Sequence, residues 1–310
     1  MKLLRILFVL ILLVGCTPKE EIIHPKGIII TTIGDVRSNG KNVSLSQEIT
    51  DNDNIYVGKN SLCDIQLLDS ESLVVIRLKP YSKFKLTGKM IGSTKENYFH
   101  VELGNAIFNV AKMSSDDKII TKTPVTTAGV RGTKYEVNVN SNKTTNIIVL
   151  EGEVATKVRI PELDKYSKSE IKNSKILKKL DGVLDDGETK ISEGESTQIA
   201  GDTNSRILKK TGIGDKLANT KPEDLDKNIE VGKAEDEISK LEDEELKLET
   251  KKLDPKVRER KLKEYDQINP FEKKVINDKT ERKKVINARF KKIEKDWLQQ
   301  LQEFLNNLFK

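Results

Sequence analysis

Short runs of alternating apolar and polar residues recur from about residue 27 to residue 201, and turn signals separate them. A period of two places the apolar side chains on one face of a strand, and valine, isoleucine and threonine favour that conformation. Clusters of asparagine, aspartate, serine and glycine between the runs supply the turns. Because these strands are many, short and closely spaced, the pattern predicts a mainly β fold, a sandwich or roll.

The predicted strands have the sequences GIIITTIGDV, DNIYVGK, SLCDIQLL, LVVIRLK, SKFKLTGK, YFHVELGN, AIFNVAK, KIITKTP, KYEVNVN, NIIVLEGEV and STQIAG. They define a β domain over 27–201, which is long enough for one packed core. Residues 161–190 interrupt the series with charged residues. That segment is predicted to be an insertion carrying one short helix.

From about residue 221 to residue 310 the chain is charged, poor in glycine and helical in its periodicity. A helix is predicted over 231–253, with a break at Asp254-Pro255 because proline cannot continue the helical hydrogen bonding. The last helix is indicated by apolar residues three or four apart, namely Ile286, Phe290, Ile293, Trp297, Leu301, Phe304 and Leu308. Their spacing averages about 3.67 residues per turn, which favours an amphipathic helix over a left-handed coiled coil.

Charge divides this helical region. Residues 221–250 hold 5 basic and 12 acidic side chains, and residues 251–310 hold 18 and 10. The basic final helix at 281–310 could lie on an anionic membrane. Packing within a helical hairpin is the favoured interpretation.

At the N-terminus, an apolar run from Ile6 to Val14 follows Lys2 and Arg5. A bilayer-spanning helix needs roughly 20 apolar residues, and a run of about half that length is typical of a signal peptide. The run ends in LVGC, which is similar to the lipobox of bacterial lipoproteins. We therefore predict signal cleavage between Gly15 and Cys16, with lipid attached to the Cys16 sulfur.

On this interpretation residues 1–15 are a lipoprotein signal peptide and residues 16–26 are a lipid-anchored tether. The predicted partner is membrane lipid, through acylated Cys16, and the predicted location is the cell envelope. Thr17 stands where, in the enterobacterial sorting pattern, aspartate would favour the inner membrane, so the outer membrane is expected. The alternative is an ordinary secretory signal with an incidental cysteine.

No catalytic, cofactor or metal site is predicted. The two histidines, His24 and His100, lie near no cysteine pair with zinc-like spacing, and His100 alternates toward the surface. Cys63 alternates toward the inside of a strand, where free cysteine behaves as a small hydrophobe. The DNDN sequence at 51–54 lacks the glycine and glutamate of an EF-hand loop, so it is predicted to be a polar turn. We expect a protein that is not an enzyme.

The formal net charge of +6 is mild for 310 residues. With the predicted extracytoplasmic address, it gives little support for nucleic acid as a partner.

The sequence TKTPVTTAGVRGTKYEVNV at 121–139 indicates a tight corner between two strands. Pro124 can only edge a strand, since it has no N–H for the ladder. Gly132 is the natural position for a positive φ. Alternation then resumes from Thr133.

This stretch, together with NIIVLEGEVATKV at 146–158, closely resembles the FecR domain, the periplasmic domain of ferric-citrate regulators. That family carries a Thr-Pro segment, a Val-Arg-Gly-Thr corner and a second strand with a Gly-x-Val ending. The resemblance covers roughly residues 27–200. The matching motif positions are Thr123, Pro124, Val130, Arg131, Gly132, Thr133 and Gly152.

The resemblance implies a β module outside the cytosol. Classical members place a cytoplasmic anti-sigma segment and a membrane helix before this domain, whereas only 15 residues precede Cys16 here. We therefore expect the classical signalling mechanism to be unavailable to this chain alone. In make-up the chain is similar to lipid-anchored FecR-domain proteins of spirochaetes.

Two functions follow as expectations. The first is a non-catalytic binding or scaffold module of the envelope, with a protein or glycan partner. The alternative is an accessory sensor in transmembrane signalling linked to iron or siderophore uptake, acting through a separate membrane partner. The oligomeric state stays open.

Overall fold

A computed structural model of the chain describes residues 20–268, apart from 69, 71, 112–116, 222–223, 228 and 242, and also residues 280–281, 284–288, 291 and 295. The strands are β1 (Glu20–Ile23), β2 (Gly27–Ile33), β3 (Val36–Ser38), β4 (Lys41–Asn42), β5 (Glu48–Ile49), β6 (Asn54–Val57), β7 (Leu62–Leu67), β8 (Val74–Leu78), β9 (Lys83–Ile91), β10 (Thr94–Val110), β11 (Asp117–Lys122), β12 (Thr126–Val130), β13 (Lys134–Val139), β14 (Thr145–Glu151), β15 (Glu153–Val158), β16 (Thr189–Ser192), β17 (Glu195–Ile199) and β18 (Thr250–Lys252).

The helices are a 3₁₀ helix (Pro161–Lys165), α1 (Lys168–Asn173), α2 (Lys175–Asp186), α3 (Thr203–Thr211), α4 (Gly214–Asn219), α5 (Val231–Ser239), α6 (Asp243–Leu246) and α7 (Pro255–Asp266). The prediction of a mainly β fold followed by helices is confirmed. Among the described helices, none is both long enough and apolar enough to span a bilayer.

The strands form two sheets that share the long strand β10. Sheet A has the order β4-β3-β6-β9-β10-β11-β12-β15-β16. Strand β1 also pairs with β9, at the C-terminal end of β9 and past the residues that pair with β6. Sheet B has the order β5-β2-β7-β8-β10-β13-β14-β17-β18. Every pairing is antiparallel except that of β10 with β11, which is parallel.

Strand β10 changes sheet in its middle. Its register with β9 shifts between Val101 and Leu103. Beyond this bend β13 replaces β11 as a neighbour from Gly104, and β8 replaces β9 from Ala106. The buried Ser82 hydroxyl holds the bend, since it donates to the Asn105 carbonyl at 2.9 Å and accepts from the Asn105 N–H at 3.0 Å. The sequence predicted two strands, at 98–105 and 106–112. They are one continuous strand because this bend interrupts the alternation without ending the pairing.

The core lies between the two sheets. A run of aromatic rings crosses it. Phe84 and Phe99 are tilted with their centroids 6.1 Å apart, whereas Phe99 and Phe108 stack at 5.8 Å and Phe108 and Tyr135 at 4.6 Å. Phe99 belongs to the sheet A half of β10 and Phe108 to the sheet B half, so the rings join the sheets through one strand. Cys63 is fully buried in the same core, as predicted, and burial raises the pKa of its thiol.

The outer face of sheet B is covered by α7 and Ile286. The apolar side chains buried there are Ile28, Ile30, Val75, Ile107, Leu150, Tyr265, Ile268 and Ile286. Helix α7 begins where the sequence predicted a break, because the Asp254 carboxylate accepts from the N–H groups of Lys256 at 2.9 Å and Val257 at 3.2 Å. Ile286 lies in a helical segment; the other apolar residues of the predicted last helix lie outside the described residues.

The helix predicted over 231–253 is wrong in its second half. The chain there forms α5, then α6, and then the edge strand β18. The Leu253 N–H donates to the Gly194 carbonyl at 2.8 Å, and the Thr197 hydroxyl donates to the Glu249 carbonyl at 2.7 Å. Pairing with the edge of sheet B therefore outweighs the helical preference of this charged segment.

Helices α2 to α6 pack with the 3₁₀ helix into a second apolar cluster beside sheet A. Its members include Leu163, Ile176, Leu180, Ile207, Leu217 and Ile238. The segment 161–190 was predicted to hold one short helix. It holds the 3₁₀ helix, α1, α2 and the start of β16.

We expect Gly104→Ala to destabilise the protein by about 3 kcal/mol or more. Gly104 has a φ of +86°, and an added Cβ would lie 2.5 Å from the Ser82 Cα. The strain of a left-handed alanine adds to that of overpacking. The matched control is Gly182→Ala in α2, where a Cβ meets nothing within 4 Å and a helical alanine should stabilise by about 0.5–1 kcal/mol. Urea unfolding measures both, and equal midpoints for the two variants would contradict the expectation.

Candidate functional site

A cavity of about 430 Å³ lies on the outer face of sheet A, between β1, β9, β10 and the helices that follow β15. Phe99 and Val101 of β10 point into the core, so alternation turns Tyr98 and His100 outward into the cavity. Thr87 of β9 lies beside them. The floor of the cavity is therefore polar, although the strands that form it belong to an apolar core.

The walls of the cavity are largely aliphatic. The aliphatic side chains are Ile22, Ile23, Ile160, Leu163, Ile171 and Leu184, and the charged residues Glu20, Asp51, Lys89, Lys157, Lys168 and Asp181 also line the cavity. A polar floor beneath an aliphatic rim is the general form of a ligand or partner pocket, in which apolar contact supplies affinity and a few polar groups fix orientation.

Three charged residues form a network inside the cavity. Asp164 accepts from Lys122 Nζ at 2.8 Å and from Arg159 Nε at 3.1 Å. Burial favours the neutral acid, but Lys122 and Arg159 outweigh it and hold the pKa of Asp164 below its ordinary value. Lys122 Nζ also lies 4.4 Å from the centre of the Tyr98 ring. The cations are thus already paired within the protein.

His100 lies in the cavity floor, with Nε2 2.8 Å from the Thr87 hydroxyl. Burial, together with the nearby Lys122 and Arg159 charges, lowers the pKa of His100 to about 4. The sequence predicted a surface histidine. It does point away from the core, but the helices after β15 enclose it, and that enclosure is invisible to alternation along one strand.

Neither the Tyr98 phenol nor the His100 imidazole in the floor has a pKa near neutral pH. General acid–base catalysis works best with a pKa close to the working pH. His100 is neutral there, and burial followed by the hydrogen bond to Glu96 raises the pKa of Tyr98 well above its ordinary value. The floor is better suited to binding than to proton transfer.

Strand β1 forms one wall of the cavity through its pairing with β9, where Glu20 lies opposite Ile91 and Ile23 opposite Gly88. The Glu20 carboxylate also accepts from the Lys168 N–H at 2.8 Å, which ties β1 to α1. Ile22 remains 70% exposed at the rim. Residues 20–23, which lie within the predicted tether of residues 16–26, are paired with sheet A.

The Thr-Pro part of the predicted motif lies at the turn between β11 and β12. The buried Thr123 hydroxyl accepts from the Thr126 N–H at 3.1 Å and from the Thr145 hydroxyl at 3.1 Å. The Pro124 carbonyl accepts from the Asn204 side chain at 3.3 Å, which joins the turn to α3. The Thr123 carbonyl accepts a hydrogen bond from Arg159, which belongs to the charged network of the cavity.

The glycines of the motif lie where the chain crosses between the sheets. Gly132 stands between β12 of sheet A and β13 of sheet B, and Gly152 stands between β14 of sheet B and β15 of sheet A. The two corners touch, since a Cβ on Gly152 would lie 2.8 Å from the Gly132 carbonyl oxygen. Val130 is buried beside them, Arg131 is exposed, and the Thr133 hydroxyl donates to the Glu153 carbonyl at 3.1 Å.

Apart from the Thr123 carbonyl, which accepts from Arg159, these contacts of the motif residues stabilise the fold and do not line the cavity. The predicted cleavage and lipid-attachment positions, Gly15 and Cys16, lie outside the described residues. In the part of the chain that the structure describes, no three histidine, cysteine, aspartate or glutamate side chains are placed to hold a metal.

Residues 53–155 match the model of the FecR protein family. The match runs from β6 into β15, and it includes the aromatic rings and both glycine corners. It is narrower than the resemblance predicted over 27–200 and covers about a third of the chain. No curated protein matches the sequence.

Two solved structures are similar to part of the chain. Both are crystal structures of a candidate anti-sigma factor from Parabacteroides distasonis ATCC 8503, at 1.65 Å and 2.50 Å resolution, and each is 15% identical to this chain. They match 48% and 45% of this chain, with TM-scores of 0.31 and 0.26. The match spans 55% of the length of each.

The FecR-matched segment supplies only the floor of the cavity. Thr87, Tyr98, His100 and Lys122 lie within it, whereas β1 and the helices that build the walls lie outside it. Sequence reasoning missed this grouping because Asp164 belongs to the segment interpreted as an insertion. Nothing in the local pattern indicates that its carboxylate reaches back to β11.

We expect the His100 ring to titrate near pH 4. The unfolded chain takes up this proton near pH 6.5, so the unfolded state binds more protons between the two values and stability falls as the pH drops through this window. The loss is at most about 3 kcal/mol. NMR titration of the ring gives the pKa, and urea unfolding at pH 7 and pH 4.5 should show a smaller loss for His100→Gln than for wild type. A ring that titrates near 6.5 would contradict the expectation.

Proposed function

We propose that this chain is a lipid-anchored, extracytoplasmic protein of the cell envelope that binds a partner through the sheet A cavity and performs no chemistry there. The lipobox at Cys16 supports the anchor, and the FecR match supports an envelope module. The proposed location is the outer membrane, in a lipoprotein similar to those of spirochaetes. The proposed anchor is a diacylglyceryl thioether, with further acylation such as palmitate.

One observation carries the proposal. Strand β1 docks on sheet A four residues after Cys16 and forms the rim of the cavity with the exposed Ile22. Four residues of extended chain span at most about 14 Å. A lipid on Cys16 would therefore hold the cavity mouth close to the membrane surface, where a membrane-bound partner meets it.

The charges in the cavity support binding over catalysis. The two cations nearest the floor, Lys122 and Arg159, share the Asp164 carboxylate, and His100 stays uncharged at neutral pH. A partner that covers this surface would bury aliphatic rim residues above cations that already have a carboxylate partner, and a paired charge costs less to bury than an isolated one. An apolar segment of an envelope protein suits such a rim.

We expect Cys16→Ala to move the protein from the detergent phase to the aqueous phase in detergent partitioning of whole cells. Two or three acyl chains anchor a protein stably, and their loss leaves a chain with mild net charge. Cys63→Ala is the matched control, because it removes the buried core thiol and should stay in the detergent phase. Wild-type protein in the aqueous phase would exclude the anchor.

We expect a photo-crosslinking amino acid at position 22 to trap an envelope protein in living cells, because Ile22 lies at the cavity rim. The same amino acid at position 81 is the control. In the part of the chain that the structure describes, Ile22 and Tyr81 are the exposed large hydrophobic residues, with 70% and 50% of their surface accessible. Adducts of equal yield at both positions, or none at position 22, would contradict a partner at the cavity.

A second function is favoured by the FecR match at 53–155. As an accessory sensor, the module would report the state of an outer-membrane transporter for iron or a siderophore to a separate membrane partner. Deletion of the gene should then change the transcription of neighbouring uptake genes under iron limitation. Unchanged transcription, with the position 22 adduct still formed, would leave binding as the function.

A further inference from the structure

A second surface site lies on the other sheet, away from the cavity. It is a groove of about 500 Å³ on the outer face of sheet B, bounded by α7 on one side and β18 on the other. Its lining is polar, in contrast to the aliphatic rim of the sheet A cavity. The function proposed above does not use it.

Four side-chain amides form a row across neighbouring strands of sheet B, next to or within the groove. Asn105 of β10 lies opposite Asn138 of β13, Asn138 lies opposite Asn146 of β14, and Asn146 lies opposite Gln198 of β17. The core side chains Ala106, Val137 and Ile147 flank them in sequence, so all four amides point outward. Adjacent strands lie about 4.8 Å apart, which sets the repeat of the row.

The row is poorly satisfied by the protein itself. Asn105 donates from Nδ2 to Glu136, but its Oδ1 is buried without a hydrogen-bond partner. In the described part of the chain, no hydrogen bond occupies the side-chain amides of Asn138, Asn146 and Gln198. Asn138, Asn146 and Gln198 line the groove, so their open donors and acceptors are available to a ligand there.

The charges around the groove are balanced. Lys261 of α7 pairs with Glu136, and the opposite wall carries Glu249 and Lys251. The groove therefore favours a neutral ligand over a phosphate or a polyanion.

We propose that this groove binds a neutral, linear oligosaccharide that lies across the strands. A side-chain amide offers two donors and an acceptor, and a hydroxyl is both a donor and an acceptor, so the two groups pair in either direction. A sugar chain running along the row would present hydroxyls to one amide per strand. Ile148, at the base of the groove, offers an apolar surface to a ring.

A peptide fits this surface less well. Peptides are recognised by pairing with a sheet edge, or by apolar and aromatic anchors placed in a groove. Here the floor is the face of a sheet, and the described lining has one aliphatic residue, Ile148, and no aromatic residue. The site is separate from the sheet A cavity, so it stands whether or not the anchor and the cavity partner are confirmed.

Isothermal titration of the full-length chain with cellohexaose and with the hexasaccharide of N-acetylglucosamine tests the proposal. At least one of the two should bind. Asn146→Ala and Gln198→Ala should each weaken binding at least tenfold. The Gln198 side chain is exposed, so its removal leaves the fold intact even where Asn146→Ala perturbs it.

Asn42→Ala, which removes an exposed amide on β4, is the matched control and should bind as wild type does. An uncharged hexapeptide of serine, asparagine and glycine should not bind. The proposal is overturned if neither sugar binds, if both groove variants bind as tightly as wild type, or if the peptide binds and the sugars do not.

Discussion

The whole architecture depends on one strand belonging to two sheets. The first half of β10 pairs with β9 and β11, and the second half pairs with β8 and β13. Because the strand is continuous, Phe99 and Phe108 face the same core from different sheets, and their rings stack at 5.8 Å. The Gly132 and Gly152 corners cross between the sheets on β12–β13 and β14–β15. The FecR-matched segment is therefore the part of the chain that closes the two sheets around one core.

What covers the outer faces of the sandwich comes from elsewhere in the chain. Strand β1 and the helices after β15 cover sheet A and enclose the cavity, and α7 with β18 bounds the groove on sheet B. These elements lie outside residues 53–155. Binding properties that depend on them belong to this chain and need not be shared by other proteins with a similar core. A family match to the core alone is for this reason a weak guide to the partner.

The sequence was informative wherever structure follows from neighbouring residues. Alternation predicted most strands and the inward Cys63, and the Asp254-Pro255 pair predicted a break at the position where α7 begins. It failed where distant segments decide the outcome. A charged, helix-like stretch became β18 because the edge of sheet B pairs with it. The cavity network was missed because Lys122 and Asp164 meet only through tertiary packing. The amide row was missed because the sequence of a single strand does not determine the register between β10, β13, β14 and β17.

The two surface sites differ in how far their polar groups are already paired with other groups of the protein. In the sheet A cavity Lys122 and Arg159 share Asp164 as their partner, and aliphatic side chains supply much of the remaining surface. In the sheet B groove the charges are balanced, and the amides are left with open donors and acceptors. The first arrangement suits burial against an apolar protein surface, and the second suits a ligand that carries its own hydroxyls. The two sites lie on the outer faces of different sheets, so occupation of one leaves the other open.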